Sequence, residues 1–232
     1  MSEELAHQVV SGGALAEPLR WALYRYVAGA AEPVSREQAA TAVDLPLHTA
    51  KFHLDRLVDE GLLDVDYRRL SGRTGPGAGR PSKLYRRADR QVSITLPERR
   101  YDLAGDLLAA AIDRSTRDGT PVGDAVRDVA HAAGLRLAGE AQPQADDADA
   151  EDQDGVARVV AVLAEHGYEP RVEAREVCLA NCPFDRLAAE HADLVCGMNL
   201  ALIGGVLEGL DASAVRARLD PQPGFCCVRI AG

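Results

Sequence analysis

The residues of this chain best suited to chemistry are its five cysteines, Cys178, Cys182, Cys196, Cys226 and Cys227, carried in VCLANCPF, HADLVCGMN and PGFCCVRI. All lie in the last 55 residues, and their number is odd. The chain opens with MSEELAHQVV, which has no basic stretch ahead of an apolar core. A signal peptide is therefore not expected, and a cytoplasmic protein keeps its thiols reduced. A late cysteine cluster in that setting points to a metal or redox site rather than a disulfide frame. Between Cys182 and Cys196 lie 13 residues, and between Cys196 and Cys226 lie 29. There is no Cys-x2-Cys knuckle, so a zinc finger or ribbon is not favoured. Wide spacing suits a centre assembled by tertiary folding. Soft thiolates, commonly four, are what an iron–sulfur cluster needs, as 4Fe–4S or 2Fe–2S.

Each sulfur needs an element to position it. Cys182 precedes Pro183, which is expected to start a helix whose N–H groups favour a thiolate. Cys196 falls in the following segment. Cys226 and Cys227 read as neighbours on a strand, so their side chains should point to opposite faces and only one should ligate readily. Cys178 reads as a small buried hydrophobe on a strand. It and His191, between Cys182 and Cys196, are the other candidates for a fourth ligand.

The front half offers a different chemistry. The chain has net charge −10, but residues 1–100 carry +2 and residues 101–232 carry −12. Within residues 67–100 there are ten basic and two acidic residues. An acidic protein with one basic stripe can bind a polyanion there. Residues 15–30 show helical spacing at Leu19, Ala22, Leu23, Tyr26 and Val27, with Pro18 in the first turn. Ser35 and Gln38 form a capping box for a short second helix. Asp44-Leu45-Pro46 makes a turn. A third helix runs from about Leu47 to Glu60, with Ala50, Leu54, Leu57 and Val58 inward and Gly61 as its cap. It leaves His48, Thr49, Lys51, His53 and Arg56 toward the outside, where they could meet base edges and phosphates in a major groove. LLDVDYRRL and KLYRRA then read as a hairpin around the glycine- and proline-rich SGRTGPGAGRPSK. Its tip adds Arg73, Arg80 and Lys83, suited to a narrow groove. Arg68, Arg69, Arg86 and Arg87 on the stems would meet phosphates. Any one of these arginines could be an ordinary solvated side chain; the arrangement is the specific signal.

The expected fold is α+β. Residues 1–96 form a winged helix-turn-helix, 97–120 a linking and dimerisation helix, and 121–232 a cysteine-bearing α/β sensor domain. Amphipathic helices are expected over 101–118 and 121–140. The acidic QPQADDADAEDQD is expected to be a solvated linker. Beyond it come a helix over 156–166 stopped by Gly167, strands near 169–180, helices over 183–209, and strands near 214–219 and 225–230. The longest uncharged apolar run, Val195 to Leu207, is shorter than the ~20 residues of a membrane span.

HTAKFHLDRLVDEGLL followed by GRTGPGAGRPSKLYR resembles the winged-helix bacterial regulators of the broad ArsR type. A hairpin ending in GRPSKLY, joined to a cysteine-bearing second half, resembles more narrowly the SufR-like regulators. That resemblance implies repression of iron–sulfur assembly operons, an iron–sulfur cluster, and a homodimer on a near-palindromic duplex operator. The regulators' final Cys-x-Val-Arg-Ile pattern favours Cys226 over Cys227 as a ligand. Cys178 and the doubled Cys226-Cys227 depart from the pattern. A cluster gripping several elements would set their geometry, and its loss would misplace two readers whose half-sites stand about 34 Å apart. A coupling of about 1–3 kcal/mol is enough to shift occupancy. Zinc or thiol-redox control through the same cysteines are the alternatives. The chain has no Walker loop, GxGxxG or HExxH, and an enzyme is not expected.

Overall fold

The computed structural model describes residues 3–68, 81–141, 154–173 and 176–232. The acidic linker over 142–153 and the wing tip over 69–80 lie outside the described residues. The chain divides into two compact units, Glu4–Ile94 and Thr95–Gly232.

The first unit holds α1 (Glu3–Ala14), α2 (Pro18–Gly29), β1 (Val34–Ser35), α3 (Arg36–Ala42), α4 (Leu47–Asp59), β2 (Leu63–Arg68) and β3 (Ser82–Arg87). Its antiparallel sheet has the order β1-β3-β2, with Val65 opposite Tyr85. The capping box forms as the sequence predicts. Ser35 Oγ accepts from the Gln38 N–H at 3.2 Å, and Gln38 Oε1 accepts from the Ser35 N–H at 2.8 Å. After α4 the chain reverses at Gly61, φ +68. The Leu62 N–H donates to the Leu57 carbonyl and the Gly61 N–H to that of Val58, a Schellman motif that glycine permits. On α2 only Leu23 and Val27 of the expected apolar stripe are buried, while Leu19 and Tyr26 are exposed. Tyr24, outside that stripe, is partly buried against the same core. Sequence reading passed over α1 and the Glu17 cap of α2. Glu17 accepts from the Leu19 and Arg20 N–H groups, and the α1 residue Ser11 donates its hydroxyl to the Glu60 carbonyl at 2.9 Å.

The second unit holds α5 (Tyr101–Asp118), α6 (Val122–Glu140), α7 (Asp154–Glu165), β4 (Pro170–Glu173), β5 (Glu176–Leu179), α8 (Asp185–Glu190), α9 (Ala192–Gly209), β6 (Arg216–Leu219) and β7 (Val228–Ala231). Its antiparallel sheet has the order β4-β5-β7-β6. Alternation turns Val177, Leu179, Val228 and Ile230 to the core and Cys178 and Arg229 to the other face. The α5 helix, set apart in sequence as a linking element, contributes Ala104, Leu107 and Ala111 to this same core. The central strut is α9. It is long and apolar enough to cross a membrane by length and composition, and here Met198, Leu202, Ile203 and Val206 are buried in the core. It lies backbone to backbone on α6. A Cβ added at Gly134 would come within 2.0 Å of the Leu202 carbonyl oxygen, and one at Gly205 within 2.1 Å of that of His131.

Candidate nucleic-acid interface and thiol centre

The α4 helix buries Ala50, His53, Leu54 and Leu57, an i, i+3, i+4, i+7 stripe. It presents His48, Lys51, Phe52 and Arg56 to solvent, with Thr49 half-buried. His53 therefore corrects the expectation that it faces outward. It is 9% exposed, its Nδ1 makes no hydrogen bond, and Glu17 Oε2 stands 3.7 Å away. The same 3.6-residue period that buries Ala50 and Leu57 places residue 53 with them. Phe52 was missed. It is 66% exposed and edge-on to His53, with ring centroids 5.3 Å apart. A groove lined by Arg20, His48, Lys51, Phe52, Asp55 and Arg56 runs along this face.

Several of the cations are already committed. Arg56 pairs with Glu60 at 2.5 Å and Arg86 with Asp64 across the hairpin at 2.7 Å. Arg68 lies 3.2 Å from Asp66 and 3.7 Å from Glu32. Lys83 is on the stem, not the tip. Its Nζ reaches Asp55 Oδ1 at 2.5 Å, above the Tyr85 ring. Arg69, Arg73 and Arg80 lie outside the described residues. Asp55 also accepts from the Tyr85 hydroxyl at 3.0 Å, so one carboxylate ties α4 to β3. Burial opposes its charge, but Lys83 and Tyr85 outweigh burial and hold its pKa below the usual carboxylate range. Burial, and then Asp55, push the Tyr85 hydroxyl up.

Asp55→Asn is expected to destabilise the first unit at pH 7 by about 1 kcal/mol, the worth of an ordinary hydrogen bond at a half-exposed site. A depressed carboxyl pKa contributes stability above the unfolded value near ~4, and that stability is lost as pH falls through the folded value. The gap in thermal midpoint between wild type and variant should therefore close below pH ~4.

The cysteines gather in the second unit. Cys182 lies in the turn ahead of α8, Cys196 in the second turn of α9, and Cys226 and Cys227 in the turn ahead of β7. That turn is held by the Cys226 N–H on the Leu179 carbonyl and the Asp220 N–H on the Cys227 carbonyl, both at 2.8 Å. The thiols lie as successive neighbours that act on one another electrostatically, forming a string: Cys182 beside Cys226, Cys226 beside Cys227, and Cys227 beside Cys196. Two sequence expectations are thereby corrected. Cys226 and Cys227 precede the strand, so the opposite-face argument does not apply and both sulfurs join the string. Cys182 does precede a helix N-terminus, but α8 begins at Asp185 with Phe184 as its N-cap, not at Pro183, and the Phe184 N–H faces the sulfur. Cys226 Sγ accepts from Asn199 Nδ2 at 3.1 Å, and the Val228 N–H favours its charged form. Cys178 is buried on the other face of the sheet, in register with Arg171 and Arg229. His191 is exposed at the α8–α9 junction.

Clustered thiols compete for negative charge. Contact with Cys226, then burial, pushes the Cys182 thiol far up, and burial raises Cys196. Cys226 is pulled down by Cys182, but Cys227 and burial outweigh this and push it up to about 11. Several such sulfurs ionise together only beside a cation. Among the described residues no three His, Cys, Asp or Glu side chains converge on a single-ion site. Tetrahedral zinc at 2.3 Å would need its sulfurs within about 3.8 Å of one another, all four at once. Four soft sulfur donors gathered in one unit are the donor type and number that an iron–sulfur centre commonly takes.

The Cys182 turn is clamped from a distance that sequence spacing does not reveal. Arg99 donates to the Cys182 carbonyl at 2.9 Å and to Asn181 Oδ1. Asn181 Nδ2 donates to the carbonyls of Glu98 and Gly167, at 2.9 and 2.5 Å. These partners are 14 to 83 residues apart, and no local signal marks either side chain.

Residues 15–66, which span 52 of the 232 residues from ahead of α2 into β2, match the family described as Helix-turn-helix domain. No curated protein and no solved structure matches the chain. With the capped α3, the outward face of α4 and the β2–β3 hairpin in place, the N-terminal unit carries a helix-turn-helix domain followed by a hairpin, the arrangement of a DNA-binding winged helix.

Proposed function

We propose that the protein is a transcriptional regulator, acting as a homodimeric repressor on a duplex operator, whose grip is set by an iron–sulfur cluster held by Cys182, Cys196, Cys226 and Cys227. The observation that supports this reading is the sulfur string, four thiols from two turns and one helix gathered as neighbours within one unit. When bound, such a cluster supplies an anionic, redox-active cross-link between the turn ahead of α8, α9 and the turn ahead of β7. The chain's own residues do the rest. Phe184, Val228 and Asn199 direct N–H groups at the sulfurs, and Arg99 holds the Cys182 turn. The α4 helix offers Lys51 to phosphates, with Arg56 beside it once a phosphate displaces Glu60, and His48, Thr49 and Phe52 to base edges. A helix-turn-helix of this kind meets its duplex in the cytoplasm or nucleoid.

Anaerobic purification tests the reading. A brown protein holding iron and sulfide, with DNA affinity that differs between loaded and cluster-free forms, supports it. A colourless protein with stoichiometric zinc overturns it in favour of zinc control. Reversible disulfides after peroxide, in a protein holding no iron, favour a thiol switch through the neighbouring Cys182, Cys226 and Cys227.

Lys51 is exposed on the reading face. Lys51→Ala is expected to weaken binding to mixed-sequence duplex about as much as to the operator. It should lower the slope of log affinity against log salt by about 0.9, the signature of one lost phosphate contact. Titration by fluorescence anisotropy at several salt concentrations checks this.

A further inference from the structure

Asn199 is 1% exposed on α9, one turn beyond Cys196. Its amide is divided between two partners. Oδ1 accepts from the hydroxyl of Tyr168, a buried residue between α7 and β4, and Nδ2 donates to Cys226 Sγ at 3.1 Å. A neutral thiol is a weak acceptor, and a buried amide N–H aimed at one makes a poor bond. A sulfur that carries no proton is a charged acceptor, and the same bond is then roughly twice as strong. The two faces of the amide are not equivalent for such a sulfur, because it can only accept. With the Tyr168 hydroxyl donating to Oδ1, Nδ2 is left facing Cys226.

We infer that Asn199, oriented by Tyr168, is a positioning residue that holds an N–H on the Cys226 sulfur in its metal-ligating state, so that the pair slows iron loss and raises the reduction potential of the centre. The inference rests on the cluster reading above. Outer-shell donors of this kind orient ligands and tune their basicity. An N–H dipole on a ligating sulfur stabilises the charge that an added electron brings, which makes the potential less negative.

The test uses the full chain, loaded anaerobically, as wild type, Tyr168→Phe and the double variant Tyr168→Phe/Asn199→Leu. Leucine matches asparagine in branching, and removing both polar partners together leaves no buried group orphaned, so the double variant retains its fold. Three quantities are measured: the rate of iron loss to a chelator, the midpoint potential, and the thermal midpoint of the metal-free protein. The double variant is expected to lose iron about 10–100-fold faster, with a more negative potential and a nearly unchanged thermal midpoint; Tyr168→Phe falls between it and the wild type. Iron retention and potential equal to wild type in the double variant overturn the inference while leaving the cluster reading intact. Faster loss that merely follows a lowered thermal midpoint, with the potential unmoved, also overturns it and marks a packing role. A wild type that holds no iron and sulfide overturns both.

Discussion

Gly205→Ala is expected to destabilise the second unit by about 2–3 kcal/mol, and Gly205→Val to unfold it. A Cβ at this position would lie 2.1 Å from the His131 carbonyl oxygen and 3.0 Å from the Leu135 nitrogen, both backbone atoms of α6. No rotamer change relieves such a contact, so the helices must separate. Separation opens gaps around Leu202 and Val206 on α9 and Ala130 and Ala133 on α6, all buried in one core. Overpacking of this kind costs about 1–3 kcal/mol, occasionally more. Against it stands the roughly 1 kcal/mol by which alanine is the better helix former. The steric effect wins because the clash is with backbone. Gly134→Ala, which would come 2.0 Å from the Leu202 carbonyl, should behave alike. Gly204→Ala is the internal control. Nothing lies within 4 Å of a Cβ there, so only the helix term remains and the change should stabilise by up to about 1 kcal/mol. Urea denaturation of the three alanine variants, followed by far-UV circular dichroism, separates them by sign.

The second large effect is on iron retention. Cys182→Ser, Cys196→Ser, Cys226→Ser and Cys227→Ser are each expected to weaken cluster retention by more than the roughly 10–100-fold that loss of an outer-shell partner costs. Cys178→Ser should leave retention near the wild-type level. Cys178 sits on β5 facing away from the core that holds the string, so its loss removes a small buried group and no member of the string. Cys227→Ser is the decisive variant. Were the last two cysteines on a strand, only one would reach the centre and this change would be silent. Because both stand in the turn ahead of β7, with Cys227 bridging Cys226 and Cys196, it should bleach the protein. Iron and sulfide content together with visible absorbance of the anaerobic proteins reads all five variants. A Cys227→Ser protein with full colour would show that the fourth ligand comes from elsewhere.

Local signals told most about the first unit. The Ser35–Gln38 box, the Gly61 cap and the stripe of α4 are interactions between residues three to five apart, and their spacing is their geometry. His53 belongs with them: its place in the i, i+3 stripe was legible, and residue type misled where periodicity would not have. Phe52 shows the limit of the opposite habit. A large aromatic reads as core, yet the turn of the helix carries it outward. In the second unit the same signals located helices and strands but not which sulfurs meet. Glycines 134, 205 and 209 look like weak points of helices until α6 and α9 are seen in contact, where they are the reason the helices can approach.

The sequence alone determined the helix-turn-helix, the hairpin, the succession of elements after it, and the candidacy of the late cysteines, because each follows from neighbours along the chain. Only the tertiary structure decided that Cys227 joins the string and Cys178 does not, and that His191 lies apart from it. Only the structure decided, too, that Arg99 and Asn181 clamp the Cys182 turn and that Asn199, bonded to Tyr168, meets the Cys226 sulfur. Those contacts close loops of up to 83 residues, and which side chains meet across such loops depends on strand register and on how closely α9 lies on α6, neither of which is written in any local stretch of residues.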